Sequence, residues 1–139
     1  MTAKEYLRSY RRMAEKLKQI EDDIDHMKLE RDSIQIRADG MPASSGISDR
    51  VATLAAKIVD MENDYLGKRE DLLRHRAEIR EVILSVPDDR QSEVLDLRYI
   101  QGLKWEEIAD RMAYYPRHVQ RIHGYALLEV QKILDRDQK

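Results

Sequence analysis

The chain has 139 residues, 37 % of them Asp, Glu, Lys or Arg, with no Phe, no Cys and only eight Gly and Pro together. That composition fits long, exposed helices rather than a sheet protein, and the missing cysteines exclude disulfides and thiolate metal sites. A formal net charge of −2 excludes attraction of a polyanion by the chain as a whole. Screening beyond roughly 10 Å makes the local distribution of charge decisive instead.

Thr2-x-x-Glu5 reads as a capping box at the start of a first helix, near residues 3–38. Apolar residues then recur every seven positions in two interleaved series. One is Tyr6, Met13, Ile20, Met27 and Ile34; the other is Tyr10, Leu17 and Ile24, continued by Arg31 and Ala38. Alternating steps of four and three make a narrow stripe on an otherwise charged helix. Gly40 to Asp49 holds Gly, Pro and Ser and is expected to be a loop (about 39–49), with Ser48 as the cap of the next helix. That helix, near 48–86, repeats the pattern. Val51, Ile58, Tyr65, Leu72 and Ile79 form one series, and Leu54, Met61, Lys68, His75 and Val82 the other. Pro87 ends it. Each helix spans roughly 50 Å at 1.5 Å per residue, and matched lengths joined by a short loop predict an antiparallel hairpin. One seam is little to bury, so self-association through residues 1–86 is expected. Lys68, His75 and Arg31 are expected to lay their stems along the seam with polar ends in water.

From Pro87 the single stripe gives way to three shorter helices, near 88–101, 105–112 and 116–135. Gly102 is placed to end the first with a left-handed residue. The second carries Ile108, Ala109 and Met112 on one face. After Ala113-Tyr114-Tyr115, Pro116 opens the third, buried through Val119, Ile122, Ala126, Leu127 and Val130. Helix, tight turn, helix with small Ala109 at the crossing is the helix-turn-helix arrangement. The expected class is therefore all-α: a long antiparallel coiled-coil hairpin, residues 1–86, followed by a helix-turn-helix module, residues 87–139. Between Arg111 and Leu128 there is no acid in a chain with 27 of them, but Arg111, Arg117, Arg121, His118 and His123. The outward residues of the third helix would be Arg117, His118, Gln120, Arg121 and Gly124. Arg pairs bidentately with guanine and Gln with adenine. We therefore read Arg121 and Gln120 as base contacts, and Arg117, Lys104 and Arg111 as phosphate contacts, with His118 beside them.

The residues Leu84 and Pro87, Val94-Leu-x-Leu-Arg-Tyr99, Gly102-Leu103, Glu107-Ile108-Ala109, Val119-x-x-Ile122, Ala126 and Leu127 resemble the fourth conserved region of bacterial sigma factors. The resemblance covers about 50 residues and implies a helix-turn-helix that reads the −35 promoter element. Where that family has Ser or Thr helix caps, this chain has Lys104 and Tyr115. Hairpin and module together are similar to small phage and prophage proteins, the ArpU/RinA-like late transcriptional regulators. This resemblance implies double-stranded DNA as partner, with host RNA polymerase as a further candidate.

Other classes are less well supported. His26, His75, His118 and His123 are scattered, and no Gly-rich phosphate loop, Ser–His–Asp order or His-Glu-x-x-His spacing occurs. Glu106 and Glu107 are adjacent and diverge by about 100° on a helix. No enzyme activity, cofactor or metal is expected. A phage DNA-packaging subunit of the small terminase kind combines similar elements and is one alternative. A structural or protein-docking module that has lost DNA binding is another. No run approaches the roughly 18–20 apolar residues of a membrane span, and the N-terminus lacks a signal-peptide pattern, so a cytoplasmic location without membrane association is expected.

Overall fold

The computed structural model describes residues 1–38 and 45–138. The described residues are mostly helical and contain no strand. A long antiparallel helical hairpin is followed by a helix-turn-helix module: α1 (Ala3–Ala38), α2 (Ser45–Leu84), α3 (Asp89–Leu95), α4 (Trp105–Met112) and α5 (Pro116–Asp137). α1 starts at the capping box the sequence encodes. Thr2 Oγ1 accepts the Glu5 N–H at 3.2 Å, and the Glu5 carboxylate accepts the Thr2 N–H at 3.1 Å.

Two expected helix boundaries are corrected. The expected loop is shorter at its end: α2 begins at Ser45, so Ser48 lies inside the first turn and is not its cap. Residues 39–44 of that segment lie outside the described residues. Gly46 and Ser48 weigh little against a helix there, because first-turn amides have no intrahelical partner in any case. The Thr53 hydroxyl donates back to the Asp49 carbonyl at 2.8 Å. The second correction concerns residues 88–101, which are not one uniform α-helix. Asp88 caps α3 by accepting from the Arg90 and Gln91 amides, and from Asp96 to Ile100 the helix widens into a π-turn. That turn is closed by Gln101 N–H to the Asp96 carbonyl and Leu103 N–H to the Leu97 carbonyl, both 3.0 Å. Gly102, at φ +73°, follows in the left-handed region, as expected for a glycine ending a helix.

The chain forms two compact units, residues 15–71 and residues 1–14 with 72–139. In the first, Leu17 and Ile24 of α1 and Ile58 of α2 are buried, while Ile20, Met27, Ile34, Leu54, Met61 and Tyr65 are only half-buried. Lys28 and Glu62 pair across the seam at 3.4 Å. Two helices leave a seam partly wet, which is why so few of its positions are fully dry. Lys68 is exposed and pairs with Asp64.

The second unit has two clusters of buried residues. One is shared by Leu7 of α1, Ile79 and Ile83 of α2, Leu95, Tyr99, and Ala126 and Val130 of α5. The other lies within the helix-turn-helix: Val94, Leu97, Ile108, Ala109, Val119 and Ile122. The compact units therefore do not divide at residue 87. Leu7 and Ile83, outside the heptad series, are fully buried because they face α3 and α5 rather than the hairpin seam alone. The Ala3 amide also donates to Gln131 Oε1 at 2.9 Å. His75 differs from its expected solvated state: it hydrogen-bonds Ser9 Oγ and meets the Tyr6 ring edge-on.

Candidate nucleic-acid interface

The turn between α4 and α5 sets the geometry of the site. α4 ends at Ala113 in the left-handed conformation, φ 59°, with its N–H on the Ala109 and Asp110 carbonyls. Tyr114 N–H closes the turn on Ala109 O at 3.0 Å. α5 then starts with Tyr115 extended and Pro116 in the first turn, where a missing N–H has no cost. Neither α4 nor α5 has a side-chain cap. At α4 the Glu107 carboxylate accepts the Lys104 N–H at 3.2 Å, but a lysine side chain has no acceptor to return.

Val119, Ile122, His123 and Ala126 point into the protein, and Arg117, Gln120, Arg121 and Gly124 point out. The side chains of Arg117, Gln120, Arg121 and Lys104 make no hydrogen bond or ion pair among the described residues. His118 is half-buried and packs edge-on against Tyr114 at 4.8 Å. Arg111 is exposed but drawn aside, donating to Gln101 Oε1 at 3.2 Å. α5 thus brings Arg117, Gln120 and Arg121 together on its first two turns. Lys104 and Arg111 belong to the two ends of α4. A Cβ at Gly124 would meet nothing within 4 Å, so nothing inside the chain requires a glycine there.

A groove between the start of α3 and the first half of α5 is lined by Asp88, Arg90, Gln91, His118, Arg121, Ile122 and Tyr125. Tyr114 and Asp88 both favour the charged form of Arg90. Arg90 is exposed and lies outside the acid-free stretch, so local charge counting passes over it. Tyr115, directly before the helix-starting Pro116, is 85 % exposed.

His123 lies within the acid-free stretch but not on its surface. It is buried, its Nε2 2.6 Å from the Tyr99 hydroxyl and its ring edge-on to Trp105. Burial first, then Lys4, Arg98 and Arg8, lower its pKa from 6.5 to about 4. It is neutral near pH 7, and its Nε2 shares a hydrogen bond with the Tyr99 hydroxyl.

The net charge of −2 is unevenly divided. The unit made of residues 1–14 and 72–139 carries sixteen basic and thirteen acidic side chains, a net +3. Residues 15–71 carry nine basic and fourteen acidic, a net −5. The overall sign therefore conceals a positive unit, whose excess of basic side chains lies outside residues 87–139.

Residues 83–132 match the family Sigma-70, region 4, a DNA-binding domain family. The match spans the end of α2, the π-turn, the helix-turn-helix and most of α5. No curated protein and no solved structure gives a significant match to the chain. Among the described residues no helix is long and apolar enough to cross a membrane.

Proposed function

We propose that the chain is a sequence-specific, double-stranded-DNA-binding transcriptional regulator that reads the major groove with α5. The observation that carries this reading is the exposed group Arg117, Gln120 and Arg121. It occupies the first two turns of the second helix of a helix-turn-helix, on a unit of net positive charge. Arg121 and Gln120 are suited to base edges, and Arg117, Lys104 and Arg111 to phosphates, with His118 beside them. Gly124 gives a sugar-phosphate strand room to approach. The likeness to region four of sigma factors supports promoter DNA as the target and host RNA polymerase as a second partner. The resemblance to ArpU/RinA-like proteins supports control of phage or prophage genes.

The hairpin, residues 1–86, is the proposed self-association element, with residues 87–139 as the DNA reader. Leu29, Ile36, Val59 and Leu66 are exposed on α1 and α2, in pairs seven residues apart, the spacing a further helix can engage. A mass in sedimentation that stays monomeric at all concentrations overturns the self-association.

The functional test is selection from a random-sequence DNA pool, followed by comparison with the double variant Arg117→Ala/Arg121→Ala. The wild type is expected to enrich a site that the variant does not bind. Equal binding by the two at ~50 mM salt, where attraction is least screened, overturns DNA reading and favours protein docking.

A further inference from the structure

The first three turns of α1 carry Lys4, Arg8, Arg11 and Arg12, at spacings of four, three and one. These positions lie side by side on a helix. All four are exposed, and none has an ion pair among the described residues. The one acid in this stretch, Glu5, is occupied in the cap with Thr2. This strip belongs to the same compact unit as the helix-turn-helix, and its neighbours there are specific. The Arg11 guanidinium lies against the loop before α4: a Cβ on Gly102 would be 3.0 Å from Arg11 Nη2 and 3.2 Å from its Cζ. Burial first, then Lys4, Arg98 and Arg8, disfavour protonation of His123 of α5, and burial raises the Tyr99 pKa against the opposing charges of Arg8 and Arg98. The strip therefore runs beside the entry to α4 and the middle of α5.

Residues 87–139 alone carry nine basic and ten acidic side chains, and α4 exposes Glu106, Glu107 and Asp110. The helix-turn-helix by itself is poorly supplied with charge to hold a phosphate backbone next to α4. Residues 1–14 supply four cations against one acid.

We propose that Lys4, Arg8, Arg11 and Arg12 form a second contact surface for the DNA backbone, flanking the segment read by α5. This inference rests on the DNA-binding reading of α5, yet none of its residues lies within the segment that matches the sigma family. The strip holds phosphates and reads no bases, so it adds affinity to every sequence alike.

The test measures binding of the full chain to a labelled mixed-sequence duplex across a salt series. The variants are Arg8→Gln/Arg11→Gln/Arg12→Gln and the charge-keeping Arg8→Lys/Arg11→Lys/Arg12→Lys. Loss of two or three phosphate contacts flattens the slope of log K against log salt by roughly two to three units. We expect that flattening in the Gln variant only, with the site enriched from a random pool unchanged. A wild-type slope in the Gln variant, while Arg117→Ala/Arg121→Ala still loses its selected site, overturns the strip and leaves α5 as the reader. An equal loss in the Lys variant also overturns it, because packing of Arg11 on Gly102 would then be the cause. A wild type with no salt-dependent binding removes both readings.

Discussion

The Tyr99 hydroxyl lies 2.6 Å from His123 Nε2, joining the π-turn after α3 to the middle of α5. Tyr99 belongs to the cluster shared with α1 and α2, and Trp105, edge-on to His123 at 4.7 Å, packs against the cluster inside the helix-turn-helix. One neutral imidazole therefore bridges the two. Its pKa is lowered from 6.5 to about 4 by burial and by Lys4, Arg98 and Arg8. In that interval the unfolded chain binds a proton that the folded chain does not. Stability is thus complete above about pH 6.5, falls as the pH drops toward about 4, and loses nothing further from this group below that. The ceiling is about 3 kcal/mol. Denaturant midpoints between these pH values should show the slope in wild type and a weaker one in His123→Gln. Equal slopes would remove His123 as the cause.

Gly102 and Ala113 both have positive φ, +73° and 59°, and predict opposite responses. Gly102→Ala places a Cβ in the left-handed region and against the Arg11 guanidinium, a flexible group that can yield. A loss of about 1 kcal/mol is expected. Ala113→Gly relieves the same conformation at the helix-turn-helix corner, and a gain of up to about 1 kcal/mol is expected, reduced by the freedom glycine adds to the unfolded chain. Thermal unfolding of the two variants checks both signs.

Leu7 is fully buried among residues of α2, α3 and α5. Leu7→Ala should therefore destabilise the unit that carries the helix-turn-helix by roughly 2–5 kcal/mol. A fragment of residues 87–139 should melt without a cooperative transition, since it lacks Leu7, Ile79 and Ile83. Native-like amide-proton protection in that fragment would show instead that the second cluster suffices.

The elements were legible because each has a local cause: seven-residue apolar spacing for α1 and α2, Thr2 and Glu5 for the first cap, Gly102 and Pro116 for breaks. The start of α2 was misplaced because Gly46 and Ser48 act as breakers in a helix interior but weigh little in a first turn. Heptad reading assigned every seam residue to the opposite hairpin helix. It could not anticipate that Leu7 and Ile83 face α3 and α5, because such packing is set by tertiary contacts. Outward positions of α5 followed from helical periodicity. The burial of His123 did not: a histidine between Ile122 and Gly124 shows its burial only once Tyr99 and Trp105 converge on it.

The exposed start of α5 offers a stability gain. Tyr115 is 85 % exposed and gives no capping hydrogen bond. Tyr115→Ser forfeits little packing and supplies an acceptor for a free first-turn amide. A gain of about 1 kcal/mol is expected, visible as a raised melting temperature. No gain would mean that the Tyr115 ring contributes more to the turn than its exposure indicates.

Gln120 and Lys104 separate base reading from phosphate holding. Both side chains are exposed and without a hydrogen bond among the described residues. Gln120 is on the outward face of α5 and Lys104 immediately precedes α4. Gln120→Ala should cost roughly 1–3 kcal/mol on the selected site and flatten preference at one base pair, with little effect on mixed-sequence DNA. Lys104→Ala should weaken both DNAs by the same factor and lower the salt slope by about one unit. The two variants need only a binding titration on each DNA at two salt concentrations. If Gln120→Ala weakens both DNAs equally, Gln120 is a backbone contact and the base-reading role passes to Arg121 alone. If Lys104→Ala changes sequence preference instead, the assignment of α4 to the phosphate backbone fails.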